Sequence, residues 1–265
     1  MQVEKSQVED GVLKVKYIFS IEEHLAAENK VLKKMATKSS VSGFRKGKVP
    51  LALIKSQIEP GQLIIDIMLE LADQALRDKE SQDIDYIGRS EVIDFNANPK
   101  DNGFYVQMSF ILKPKVTLSD YKKKAQDKKW AIGKDDSDQI ISEKISSFFD
   151  QISQDSIVKI PQKLIDDTLK QHQEHDSSEN HSHDIKDIEE QIRRDLIFAT
   201  LAEELEVKVD DNQLMSLFYG YQPNKKKNKS LDRRNYENFR ASIIWQMFSG
   251  KVRDLLLVNK SVKKS

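Results

Sequence analysis

The sequence contains no cysteine among its 265 residues. That excludes a disulfide framework, thiolate zinc sites and cysteine nucleophiles, and it agrees with a reducing compartment without requiring one. Net charge is missing as well: 43 Lys and Arg stand against 43 Asp and Glu, so the chain has no overall field for a polyanion. Any affinity for nucleic acid must therefore be local. Long apolar runs are lacking too. The most hydrophobic stretch, LIIDIMLELA from Leu63 to Ala72, is too short for a bilayer and is broken by Asp66 and Glu70. The opening MQVEKSQVEDG has no apolar centre of the kind a secretory signal needs. A cytoplasmic protein with no membrane partner is expected. Neither a glycine-rich phosphate loop after a strand nor a GxSxG elbow occurs. Acid pairs such as Asp135-Asp136, Asp166-Asp167 and Asp210-Asp211 stand near helix starts, where the dipole favours anions, so they read as caps rather than catalysts.

What is present is 38% hydrophobic content beside 32% charged residues. The length suits about two domains. A mean hydropathy of -0.61 indicates a large wetted surface and suits an elongated or lobed molecule.

Along the chain, Gly11 to Phe19 alternates as a strand, with Leu13, Val15, Tyr17 and Phe19 on one face. Ser20 followed three residues later by Glu23 is a capping-box signature for a helix that dissolves at TKSSVSG. A short helix is expected over Leu51 to Ile58 and a longer one from Gln62 to about Lys79, separated by Pro60-Gly61. Two strands around Tyr86 to Phe95 and Phe104 to Leu112 flank the turn signal NANPKDNG. Beyond Pro114 a lysine-rich, weakly periodic stretch reads as a connector, and from about Asp138 the chain is helical almost throughout. The expected fold is thus an α+β N-terminal domain (1–113), a charged connector (114–136) and an all-α C-terminal region with arm-like helices (137–265).

Between Asn29 and Ile58 stand eight basic residues and no acid: Lys30, Lys33, Lys34, Lys38, Arg45, Lys46, Lys48 and Lys55. At the centre lies VSGFRKGKVP, Val41 to Pro50. Gly43 and Gly47 permit backbone geometry closed to other residues, Phe44 and Arg45 can project, and Pro50 stiffens the exit. Arg suits phosphate by its planar fork, while an exposed Phe can stack on a base or fill a groove on a protein. The bland alternative is a solvated charged face with Phe44 folded into the local core.

The stretch GFRKGKVP resembles the G-F-R-x-G-x-x-P ribosome-binding signature of bacterial trigger factor, matching Gly43, Phe44, Arg45, Gly47 and Pro50, with Lys46 and Lys48 adding to the basic tip. DSIVKIPQKLIDDTLKQ and DIEEQIRRDLIFATLAEELEVKVDDNQL look like that family's arm segments. The resemblance implies a tip that docks beside the nascent-chain exit tunnel on a ribosomal protein and neighbouring rRNA. It also implies helices that shield unfolded or nascent polypeptide without ATP. The chain departs from the family in one respect. About 45 residues separate the last head strand from Pro161, too few for the family's peptidyl-prolyl isomerase domain. No enzyme activity and no cofactor is expected.

A chaperone needs apolar area presented to solvent among polar groups. The aromatic candidates in the helical region are Phe148, Phe149, Phe218, Tyr219, Tyr221 and Phe248, each of which could instead fill a helix-helix core. His172, His175, His181 and His183 are the only metal candidates; their neighbours supply no preformed geometry, so no metal is expected. The lysines from Lys122 to Lys129 and from Lys225 to Lys229 read as solvated or as further rRNA contacts. Competing readings are an rRNA-binding or ribosome-assembly factor using the same loop, and an off-ribosome holdase. A homodimer is compatible with the sequence but is not specified by it.

Overall fold

The computed structural model describes residues 1–39, 41, 43–45, 47–97, 103–175, 185–221 and 229–257. The chain divides into two units, Met1–Pro114 with Ile160–Asn180, and Lys115–Lys159 with His181–Ser265.

The first unit begins with two strands, β1 (Gln2–Lys5) and β2 (Val12–Phe19), then helices α1 (Ile21–Lys38), α2 (Leu51–Gln57), α3 (Pro60–Arg77) and the single turn α4 (Lys79–Gln82). Strands β3 (Tyr86–Asn96) and β4 (Phe104–Leu112) follow. The sheet is antiparallel in the order β1-β2-β4-β3. Its core face is set by the period-2 alternation of β2 and β4: Leu13 pairs with Phe110, Val15 with Met108, Tyr17 with Val106 and Phe19 with Phe104. These eight residues are buried in one cluster with Val31 and Leu32 of α1 and Leu63, Ile67 and Leu71 of α3. Both arms of the capping box at the start of α1 form. Ser20 Oγ accepts from the Glu23 N–H at 3.2 Å, and Glu23 Oε2 accepts from the Ser20 N–H at 2.8 Å. Helix α3 starts at Pro60 rather than Gln62, because proline at the first helical position loses no hydrogen bond.

Inside this core Ser81 donates its hydroxyl proton to the Ala75 carbonyl at 2.6 Å, so the Tyr17 hydroxyl, 2.7 Å away, must be the donor to Ser81. The His24 ring stacks on Phe104 with centroids 3.8 Å apart.

Helix α7 (Gln162–His175) belongs to this same unit, although in sequence it lies among the C-terminal helices. Its entry is fixed by Pro161, whose ring covers Gly11 so closely that a Cβ there would meet Pro161 Cγ at 2.6 Å. The Asp10 carboxylate accepts from the Gln162 N–H at 3.1 Å, and Lys163 donates to Glu91 at 2.6 Å.

In the second unit a two-stranded ribbon, β5 (Val116–Thr117) with β6 (Ile157–Val158), accompanies α5 (Tyr121–Lys124), a 3-10 turn at Lys128–Trp130 and α6 (Asp138–Asp155). Helices α8 (Ile185–Glu204), α9 (Asp211–Tyr221) and α10 (Lys229–Leu256) complete it. The stretch expected as a connector supplies Tyr121 and Ile132 to the core of this unit, with the Ile132 N–H bonded to the Leu256 carbonyl at 3.0 Å. The observed architecture is a small α+β region followed by a helical part, as the sequence indicated. No helix among the described residues is long and apolar enough to cross a membrane.

Candidate functional site

The basic loop leaves the end of α1 and enters α2. Helix α1 stops because Ser39 turns extended, and both its N–H and its hydroxyl donate to the Met35 carbonyl at 2.9 Å. Two tight turns follow. The Phe44 N–H donates to the Val41 carbonyl at 3.1 Å, and the Lys48 N–H to the Arg45 carbonyl at 2.9 Å. Each turn carries a glycine in the left-handed region, Gly43 at φ 86° and Gly47 at φ 78°, where a side chain would be strained. Gly47 also donates its N–H to the Ala36 carbonyl at 3.1 Å, tying the loop back to the last turn of α1.

Two apolar pegs hold the ends: Val41 packs half-buried against the head core and Val49 is buried within it. Pro50 then opens α2, its carbonyl accepting from Leu53 and Ile54. A backbone secured at both ends and across the middle leaves Phe44 44% exposed, with Arg45 and Lys48 also exposed. Phe44 therefore does not fold into the local core. Lys46 lies outside the described residues.

The field around the loop is weaker than the sequence count suggests. Glu70 on α3, only 4% exposed, accepts from Lys34 at 2.6 Å and pairs with Lys30, one helical turn earlier on α1. Burial pushes the Glu70 carboxyl up, but the two ammonium groups outweigh it and hold the carboxyl below its ordinary value. Lys55 pairs with Glu28. Among the described residues, Lys33, Lys38, Arg45 and Lys48 make no ion pair, and they are the charges the loop region can offer a partner. The Glu70 clamp escaped sequence reasoning. Its signal lies in the spacing: Leu63, Ile67 and Glu70 fall on the core face of one helix, and a carboxylate on such a face needs a cationic partner.

The aromatic candidates of the helical region fall elsewhere. Phe148, Phe149 and Phe248 are buried together in the core of the second unit, and Phe218 is buried against Phe239 with ring centroids 5.6 Å apart. Buried rings hold helices together and cannot meet a ligand at the surface. Tyr219 and Tyr221 are in α9, with side chains outside the described residues. The apolar groups that do reach the surface of this unit include Trp245, 41% exposed and stacked on Phe198, together with Met215, Leu217 and Met247. Trp245 also lines a groove of about 330 Å³ between α6 and α10 with Ile141, Ile145 and Gly250. Of the histidines, His172 and His175 lie in α7, and His181 and His183 lie outside the described residues. Among the described residues no group of three or more potential metal ligands gathers.

A family model described as bacterial trigger factor protein matches residues 1–144, more than half of the chain and the whole of the loop. The chain belongs to the bacterial trigger factor family. Trigger factor of Helicobacter acinonychis (strain Sheeba) is 31% identical over 124 residues, which cover 42% of this chain and 27% of that protein. Trigger factor of Aliarcobacter butzleri (strain RM4018) is 36% identical over 107 residues, covering 39% of this chain and 24% of that protein. The matched region thus spans about a quarter of these trigger factors' length. A solved structure described as "Promiscuous Substrate Recognition in Folding and Assembly Activities of the Trigger Factor Chaperone" superposes with a TM-score of 0.62, covering 98% of this chain and 100% of that one at 13% identity. At that identity the likeness is one of trigger factor fold.

Proposed function

We propose that the protein is a ribosome-associated, ATP-independent chaperone of the cytoplasm. In this reading the loop Gly43–Pro50 docks near the nascent-chain exit tunnel, and the exposed apolar groups of the helical unit shield segments of newly made polypeptide. The observation that carries the reading is the loop itself. Its backbone is secured by the Ala36 hydrogen bond and by the Val41 and Val49 pegs, and it still projects an aromatic and a guanidinium into solvent. A single exposed apolar residue is ordinary at a protein surface; what supports the reading is that a secured backbone holds Phe44 beside the exposed Arg45 and Lys48, which make no ion pair among the described residues.

Client capture by weak apolar contacts explains why no catalytic group is needed. Trp245, Leu217, Met215 and Met247 reach the surface, where several weak apolar contacts can add. The segment between β4 and α6 is spent on short turns that pack into the second unit, and we read the chain as carrying no prolyl isomerase domain there.

The test is co-sedimentation with vacant bacterial ribosomes, together with capture of an unfolded apolar polypeptide at moderate salt. Apolar capture persists as salt rises, whereas a purely phosphate-driven factor loses its partner steeply. A protein that pellets with ribosomes but fails to hold unfolded polypeptide would turn the reading toward an rRNA-binding or assembly factor.

A further inference from the structure

The segment Lys113 to Lys134 carries eight lysines against two aspartates, a strong local excess in a chain with no net charge. We propose that its part in the second unit is a separate binding site for the phosphate backbone of RNA, centred on Lys122, Lys123, Lys128 and Lys129 and independent of the Phe44 loop.

Two observations carry it. First, the backbone is fixed. Asp120 caps α5 by accepting from the Lys123 N–H at 3.0 Å, and Asp127 caps the 3-10 turn by accepting from the Lys129 N–H at 3.0 Å. Tyr121 and Ile132 are buried in the core beneath, and Trp130 meets Phe148 edge to face at 5.5 Å. The lysines are therefore presented by anchored turns rather than by a loose tether. Second, positive charge remains in excess. Asp155 pairs with Lys124 and Asp136 with Lys144 at 2.7 Å, and Asp120 and Asp127, which cap the turns but keep their charge, are outnumbered by the four lysines. Lys122, Lys123, Lys128 and Lys129 are exposed and form no ion pair among the described residues. Lys129 leans over the Trp130 ring at 4.6 Å.

The chemistry of the surface selects the partner. Among its own side chains it offers point charges without apolar anchors: Tyr121 is buried, the Trp130 ring is packed on Phe148 and covered by Lys129, and the exposed Ile157 nearby belongs to β6. A protein interface would want exposed aromatic or aliphatic anchors, and a bilayer surface would want residues able to enter the acyl boundary. Lysines alone fit a partner made of closely repeating negative charges.

The test uses the full-length protein and a labelled single-stranded RNA of mixed sequence, with affinity read between about 50 and 200 mM salt. Replacing Lys122, Lys123, Lys128 and Lys129 together by Gln is expected to weaken binding and to flatten the plot of log affinity against log salt. The slope should fall by roughly 0.7 for each phosphate no longer neutralised, about 3 in all. The Lys→Arg counterpart at the same four positions should bind as the parent does, and Phe44→Ala with Arg45→Ala should leave this component of the slope in place. An unchanged slope in the Gln variant would overturn the proposal. So would an Arg variant that fails to bind, or a parent that binds anionic vesicles in preference to RNA. Because no ribosome is present, the result stands apart from the docking reading.

Discussion

Replacing either loop glycine by alanine should separate the geometry of the tip from its chemistry. Gly43 and Gly47 sit at φ 86° and 78°. An L-residue in that region costs roughly 1–2 kcal/mol, so Gly43→Ala or Gly47→Ala shifts the free loop away from the projecting conformation by that amount. At Gly43 nothing lies within 4 Å of the added Cβ, so no clash adds to the backbone cost, and a Val41–Phe44 turn that shifts to relieve that cost carries the penalty into docking. If docking requires the observed turn, ribosome affinity drops about 5- to 30-fold, since about 1.4 kcal/mol is a factor of ten. Gly43→Asn, a residue that tolerates positive φ, should lose less. Gly103, immediately before β4 at φ 79° with nothing within 4 Å of a new Cβ, supplies the control: Gly103→Ala carries similar strain and should leave docking intact. Ribosome affinity is measured by titrated co-sedimentation, with unfolding followed alongside. Equal docking by Gly43→Ala and the parent would refute the idea that the turn geometry is what the partner reads.

Other consequences follow from the packing. Phe248 is fully buried among Phe149, Phe198 and Trp245, so Phe248→Ala should destabilise the helical unit by about 3–5 kcal/mol in urea unfolding; a loss under about 1 kcal/mol would mean that this core is not formed as described. Burial, offset in part by Glu28 and reinforced by Lys55, holds His24 below its ordinary value of 6.5. The unfolded chain therefore takes up a proton first as pH falls. The stability this contributes is present above about 6.5 and is lost as pH drops through the depressed folded value. His24→Phe should keep the stack on Phe104 and reduce the difference in stability between about pH 7.5 and pH 5.5; an unchanged difference contradicts the assignment. On a proline-containing peptide, isomerase turnover should sit at the uncatalysed rate, and clear catalysis would refute the reading of the segment between β4 and α6.

Much of the head is legible because its signals are local. The alternation of Leu13, Val15, Tyr17 and Phe19, the Ser20-Glu23 box and the loop motif are each written within a few residues. Strand β1 is not, since QVEK offers one partly buried side chain and exists only because β2 presents an edge to it. Helix α7 is legible as a helix, but its attachment to the head depends on Gly11 lying under Pro161, a meeting of residues far apart in sequence that no periodicity reports. The start of the last helix at Lys229 is not legible, because SLDRRNYE shows no apolar stripe to mark it. At the site, glycine, phenylalanine and arginine are all legible in the motif. The cancelling of Lys30 and Lys34 by Glu70 is not, because it needs α3 laid beside α1. The aromatic candidates of the helical part meet the same limit. Phe248 and Trp245 lie on one turn of α10, and the bundle buries the first and exposes the second.

Ribosome docking is tested most directly by comparing the intact protein with a Phe44→Ala, Arg45→Ala, Lys46→Ala variant in co-sedimentation with vacant bacterial ribosomes, with circular dichroism confirming that both are folded. The intact protein is expected to pellet and the variant to stay in the supernatant. Equal behaviour of the two, whether both pellet or neither does, would contradict the assignment of the loop as the anchor.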